Sequence, residues 1–370
     1  MPRITAVEVV AAAPPSTEVR FTDALPAVHT TVTYVVLTDD TGAVGVGAVE
    51  SDTFGGPDLG PLEALRPVAP SLLGLDPLRP AAVAALVASR LSSASRRVPA
   101  AAVEVACWDL LGRHAGLPLH RLLGGAREEV PAYASLPFEA DLESLLALVG
   151  SAVAAGYPAT KLHVSGDPAT DVAAVAAVRG AFPDLGLIVD AESVYTHRGA
   201  DRVGRALDDL DVLWFEAPLS DRDIAGNRRL TRSLRTPVVA AGGLIDDPRE
   251  LASVLVSAPW SAVRTQTMEG GVGHVVQVAA VARAFGLDVE LCSYGTTLTQ
   301  VIDLQLILGL GLGQFYEQPF PTEPWAFGTT SPVDVRDGVV RAPTAPGLGV
   351  ELDRTAILDA SLARFGAADE

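Results

Sequence analysis

The sequence predicts an α/β barrel standing behind an α+β module, on three observations. From residue 130 onward, short apolar runs alternate with Ala-rich amphipathic stretches seven or eight times, the pattern of strand–helix units that close into a parallel barrel. The first 45 residues carry two longer strand-like runs with no helix between them. Residues 61–125 then read as helices.

The elements follow in order. "RITAVEVVAA" and "TTVTYVVLTDDTGAVGVGAVE" are strand text, and "TDDTG" inside the second is hairpin-turn chemistry. Between them "PPSTEVRFTDALPAVH" is a polar, proline-containing loop. "AAVAALVASRL" and "AAAVEVACWDLLGRHAG" place Ala and Leu at helical spacing, and "GLPLHRLLGG" closes the section with glycines. The barrel strands are expected in "VPAYASLP", "ATKLHV", "LGLIVDAE", "DVLWFEAP", "TPVVAAGG", "SAVRTQT", "LDVELCS" and "QFYEQP". "VDVRDGVVRAPTAPGLGVELD" reads as a small hairpin returning to the N-terminal module. The expected division is a cap of residues 1–125, rejoined by 321–370, and a barrel of 126–320.

Composition narrows the function classes. Hydrophobic residues make up 49% and charged residues 19%, which is globular. No apolar run approaches the ~18 residues of a membrane span. The N-terminal apolar stretch is short and broken by Glu8, a poor signal peptide, so the cytoplasm is the expected compartment. Cys107 and Cys292 lack the spacing of a disulfide framework or zinc knuckle. A net charge of -18 argues against nucleic acid or an anionic membrane as partner, while leaving room for a small anionic substrate.

Barrel enzymes place their chemistry at the C-terminal ends of the strands. Read there, the second strand ends Lys161, Leu162, His163, the third Asp190, Ala191, Glu192, and the fourth Glu216. The fifth ends Gly242, Gly243, the sixth Thr265 to Met268, the seventh Glu290 to Ser293, and the eighth Tyr316, Glu317. Spacing of two puts Lys161 with His163, and Asp190 with Glu192, on one face of their strands. Lys161 is the only lysine; the other 26 basic residues are arginine. Arginine cannot transfer protons, so a lone lysine at a strand end points to chemistry.

These residues resemble the enolase superfamily, in its mandelate racemase / muconate lactonizing enzyme branch, over nearly the whole chain. "AVEVACWDLLGRHAGLPLHRLLGG" resembles its helical signature, "TKLH" its second-strand Lys-x-Lys motif, "VDAE" its Asp-x-Asn and "WFEAP" its metal-binding glutamate strand. "GGVGH" and "DGVVRAPTAPGLGVELD" match as well. The resemblance implies a modified (β/α)7β TIM barrel with an α+β capping domain completed by the C-terminal segment. It implies a homo-oligomer, dimer or octamer, and abstraction of the proton alpha to a carboxylate, with Mg2+ neutralising the enediolate.

Three departures accompany it. The metal acids carry over as Asp190 and Glu216, but the third falls at Gly243. Glu192, where the family has Asn, could supply the missing charge; Asp246 and Asp247 read instead as a helix cap before "PRELASVL". His163 stands in place of the second lysine, with an intrinsic pKa suited to a base, and Lys161 remains beside it. On the opposite face Met268 takes the place of the racemase lysine, and the Asp-His dyad positions fall near Thr265 and Cys292. With no base there, racemisation or epimerisation is disfavoured. The resemblance therefore implies a lyase or isomerase, foremost a Mg2+-dependent dehydratase of a sugar acid or hydroxy acid. Lys161 and His163 form its single face, Glu317 hydrogen-bonds the enediolate, and Asp190, Glu216 and Glu192 hold the metal. Arg20, Met268 and Cys292 are the substrate-binding candidates. The alternative is a pseudoenzyme, or a metal-independent isomerase or cycloisomerase.

Overall fold

The computed structural model describes residues 1–15, 18–91, 97–243, 245 and 247–368. Ser16 and Thr17 of the N-terminal loop, and Asp246, lie outside the described residues. Four strands open the chain: β1 (Ile4–Ala12), β2 (Glu18–Val19), β3 (Val28–Asp39) and β4 (Val44–Thr53). β3 pairs antiparallel with β1, β2 and β4. The turn between β3 and β4 is closed by Asp39, whose Oδ1 accepts from the amides of Thr41 and Ala43, as the "TDDTG" reading predicts. The helix Arg97–Ala115 lies against β4. Glycine is required at that contact, because a Cβ on Gly47 would stand 2.1 Å from the Ala102 carbonyl oxygen. Without Cβ atoms the helix backbone rests directly on the strand.

Eight parallel strands follow: β5 (Glu129–Ser135), β6 (Ala159–His163), β7 (Gly186–Asp190), β8 (Trp214–Glu216), β9 (Val238–Val239), β10 (Ala262–Thr265), β11 (Asp288–Leu291) and β12 (Tyr316–Pro319). Their order is β11-β10-β9-β8-β7-β6-β5-β12. Side chains bridge the seam between β11 and β12. Ser293 Oγ donates to the Glu317 carbonyl at 2.7 Å and accepts from its amide at 3.1 Å. The eight expected strands and the barrel fold are therefore present.

The C-terminal hairpin meets its reading in its second half only, where Gly347 bonds the backbone of Leu117 and Leu119 and the Leu348 amide donates to Asp109, all in the cap. β13 (Val339–Arg341) pairs antiparallel with barrel strand β5, not with the cap. Only β14 (Ser361–Ala368) reaches the cap sheet, where it pairs with β1. Its alternating exposure shows a strand covered on one face. The helix at Pro248–Leu255 begins at Asp247, whose side chain accepts from the Arg249 amide, as the capping reading expects.

Period-two alternation stacks the barrel interior in layers. Ala159, Ile188, Trp214, Ala262 and Phe315 form an apolar layer with Tyr133 and Val239. Two residues further along the same strands stand Lys161, Asp190, Glu216, Arg264 and Glu317. An apolar floor thus carries a charged layer.

Candidate active site

The charged layer is a closed ionic network. Lys161 Nζ lies 3.1 Å from Asp190 Oδ2, 3.1 Å from Glu216 Oε1 and 2.7 Å from Glu317 Oε1. The ammonium donates a hydrogen bond to Glu216 and is ion-paired with Asp190 and Glu317. Arg264 spans the other side, with Nη1 3.0 Å from Glu216 Oε2 and Nη2 2.7 Å from Glu317 Oε2. Trp214 Nε1 donates to Glu216 Oε2 at 2.9 Å, and Arg264 Nη1 contacts the Tyr133 hydroxyl at 3.3 Å. Each charge is buried, and pairing is what makes burial tolerable.

Proton affinities follow. Burial would lower the Lys161 pKa, but Glu216 and Glu317 outweigh it and hold the group well above the ordinary lysine value. Lys161 is a fixed cation here, not a base. Burial opposes ionisation of Glu317 too, yet Lys161 and Arg264 draw its carboxyl well below the usual range. Burial lifts Glu216 to about 7 in spite of the same two cations.

His163 stands one step nearer the barrel mouth, paired in register with Asp190. Its Nδ1–H donates to the Leu136 carbonyl at 2.6 Å, which leaves Nε2 to face the cleft. Nε2 lies 3.6 Å from Asp190 Oδ2 and 3.6 Å from Glu192 Oε1. Burial favours the neutral ring, but the Glu192 and Asp190 carboxylates prevail over it and over Lys161, and the pKa is raised. The backbone beyond β7 and β8 is left-handed at Glu192 (φ 47°), Ser193 (φ 61°) and Ala217 (φ 44°). Such non-glycine positions cost about 1–3 kcal/mol each and are held by their surroundings. Here Ser193 N donates to the Ala217 carbonyl, and Ala217 N to that of Val239.

A cleft of about 430 Å³ opens over these groups. Lys161, His163, Asp190, Glu192, Glu216 and Glu317 all line it, as do Met268 and Cys292 on the far wall. Arg20 does not; its guanidinium is exposed and pairs with Asp23, while the neighbouring Phe21 reaches in against His163 and Tyr294. The expected distal anchor is thus a surface ion pair. On the far wall Cys292 is pushed up to about 12 by burial and by Glu317, so it stays a thiol. Met268 Sδ sits 3.2 Å from the Glu50 amide of the cap.

Sequence reasoning missed Arg264, Tyr133 and Asp52. An arginine between Val263 and Thr265 in a barrel strand was the available signal for the first, since alternation turns one of any two neighbours inward. Tyr133, inside β5, and Asp52, beside the end of β4 and in the lining of the cleft, gave no comparable signal.

The residues do not fit the three-carboxylate magnesium site that the resemblance implies. Both Glu216 oxygens are taken by Lys161, Arg264 and Trp214. The third position is Gly243, at φ 77°, and a Cβ there would stand 3.3 Å from Glu269 Oε1, a carboxylate that already pairs through Oε2 with the Thr265 hydroxyl. Among the described residues, His163, Asp190 and Glu192 are the group whose ligand atoms lie within 4.8 Å of one another. The structure thus joins Glu192 to Asp190 but sets Glu216 apart from them.

Known proteins agree with this architecture. Residues 5–124 match the mandelate racemase / muconate lactonizing enzyme N-terminal domain, and residues 144–356 the enolase C-terminal domain-like family. An o-succinylbenzoate synthase of Geobacillus stearothermophilus is 31% identical over 261 residues, 69% of this chain and 68% of that protein. A 3,6-anhydro-alpha-L-galactonate cycloisomerase of Streptomyces coelicolor is 33% identical over 266 residues, 68% of this chain and 69% of its own. The structure of L-talarate/galactarate dehydratase from Salmonella typhimurium LT2, liganded with Mg and L-lyxarohydroxamate, superposes with a TM-score of 0.90 at 24% identity, covering 100% of this chain and 95% of that one. The chain belongs to the mandelate racemase / muconate lactonizing enzyme branch of the enolase superfamily.

Proposed function

We propose that this enzyme abstracts the proton alpha to the carboxylate of a small acid and handles it on one face of the substrate only. Elimination of water from a sugar acid or hydroxy acid is the reaction that this face serves best. The carrying observation is the asymmetry of the cleft. On one wall His163 offers Nε2, its tautomer set by the 2.6 Å bond from Nδ1–H to Leu136. Away from it the lining includes Met268, Gln266, a Cys292 thiol whose pKa is about 12, and the cap's Asp52, whose Oδ1 accepts from the Thr30 hydroxyl.

The neutral imidazole takes the alpha proton, and the C–H electron pair moves into the enediolate. In a 2,3-dihydroxy acid the enediolate pair then forms the Cα=Cβ bond as the Cβ–O bond breaks, the imidazolium gives its proton to the departing hydroxyl, and water leaves the enol of a 2-keto acid, which tautomerises. Lys161 supports the developing negative charge as a fixed cation at the cleft floor, and Glu317 holds Lys161 and Arg264 in place. The same one-sided abstraction opens a cycloisomerisation. The relatives above act on acids of these classes, which supports the reading.

A library of alpha-deuterated sugar acids and hydroxy acids tests it. Turnover with a primary isotope effect, lost in His163→Asn, is the expected result. No exchange or turnover across the library would sink the proposal. We propose a homo-oligomer, to be checked by light scattering. No helix among the described residues is long and apolar enough to cross a membrane.

A further inference from the structure

We infer that Lys161, locked in place together with Arg264, occupies the position at which the family's divalent ion would meet Asp190 and Glu216, so that the cation of this active site is part of the chain. The inference deepens the proton-abstraction reading and rests on it for its chemistry, but its binding test does not.

Donor accounting carries it. Lys161 Nζ reaches both of the acids that match the metal motif, each at 3.1 Å. Glu216 has no free oxygen: Oε1 accepts from Lys161, and Oε2 accepts from Trp214 at 2.9 Å and Arg264 at 3.0 Å. Both Asp190 oxygens are engaged too, with Oδ1 accepting from the Glu192 amide at 3.0 Å and Oδ2 facing Lys161. A hexacoordinate oxygen-seeking ion would have to displace a buried ammonium and a guanidinium fork to gain two carboxylates. Each displaced cation would then be left buried without its partner, which is costly.

Two features of the strands agree in direction. Gly243 leaves the third metal position of the resemblance without a carboxylate, and Arg264 sets a buried guanidinium against Glu216 and Glu317. Lysine also suits this position better than arginine would. A compact ammonium sits within 3.1 Å of three converging carboxylates at once, whereas a planar fork serves two. That geometry accounts for the single lysine of an otherwise arginine-only chain. Glu317, fully buried between Lys161 and Arg264, is a positioning residue in this arrangement.

The test is metal binding to the full-length, chelator-treated protein, read by Mn2+ electron paramagnetic resonance and by Mg2+ calorimetry. The native protein is expected to show no saturable binding up to about 1 mM, the weak end of biological divalent sites. Lys161→Ala frees Asp190 and Glu216, and is expected to acquire an Mn2+ site at least about 100-fold tighter, two decades in Kd. The double variant Lys161→Ala/Glu216→Gln is expected to lose it. Stoichiometric binding by the native protein that Glu216→Gln removes would overturn the inference. So would native binding that His163→Gln or Glu192→Gln removes, which would put an ion on the His163–Asp190–Glu192 group. A folded Lys161→Ala protein that binds no ion would also overturn it. Should Lys161→Ala fail to fold by circular dichroism, the native titration decides alone. If no acid is turned over, the proton-abstraction reading fails while these binding results stand.

Discussion

His163 is held by one strong bond and polarised by two carboxylates, and that arrangement sets its pH behaviour. A base must be deprotonated, and the raised pKa means the free ring appears only above the ordinary imidazole range. The value of kcat/KM is therefore expected to rise with pH to a plateau. Glu192→Gln removes one of the carboxylates that favour the imidazolium, so a pH–rate profile of this variant should rise at lower pH than the native one. His163→Asn is expected to lower kcat by about 10²–10⁴, the usual contribution of a positioned acid–base group, with KM little changed. Arg264 makes a different demand. Arg264→Met leaves Glu216 and Glu317 short of a partner in the barrel interior, and should cost about 3–5 kcal/mol in chemical denaturation. Arg264→Lys should restore little, because one ammonium cannot span the two carboxylates that the guanidinium fork bridges.

At the cap–barrel junction one buried acid gathers several donors. Glu50, near the end of β4, accepts through Oε1 from the Thr296 amide at 2.7 Å, from the Thr296 hydroxyl, and from Thr299 Oγ1 at 2.7 Å. These groups open the barrel helix Thr297–Leu310, whose free amides and dipole favour an acceptor there. Glu50→Ala leaves the donors unpaired, and about 1–3 kcal/mol of stability should go with it. Burial, acting against the Thr296 and Thr299 bonds, pushes the Glu50 carboxyl up to about 7. For an acid whose pKa is raised on folding, the contribution to stability is present at low pH and is lost as pH rises through the folded value. Glu50→Gln cannot ionise, so thermal melts from pH 5 to pH 8 should show its Tm gaining on the native protein's as pH rises. Element by element, the strands of the barrel were legible from their apolar runs and flanking glycines. The final hairpin was not. "VDVRDGVVR" has the alternation of an edge strand, and alternation does not say where it joins; it pairs with Glu129, Val130 and Pro131 of β5, ahead of the residues that β6 and β12 flank.

Across the whole molecule, the site was legible where strand ends carried unusual residue types, and illegible where contact geometry decided. Lys161, His163, Asp190, Glu216 and Glu317 were readable from spacing of two and from order along the chain, and all of them line the cleft. The state of Lys161 was not readable: only the convergence of three carboxylates on one nitrogen shows it to be a fixed cation. Arg20 misled because its sequence neighbour Phe21, and not Arg20 itself, is turned toward the cleft. At this scale the fold supplies an apolar plug, a buried ionic layer above it, and His163 at the mouth. The measurement that tests this account most directly is hydrogen exchange at the alpha carbon in D2O, followed by proton NMR with each acid that the enzyme turns over. Exchange or turnover that proceeds with one alpha configuration, leaves recovered substrate unepimerised, and vanishes in His163→Asn is the predicted result. Deuterated substrate recovered in both configurations would show a second base on the Met268 and Cys292 wall and would contradict it.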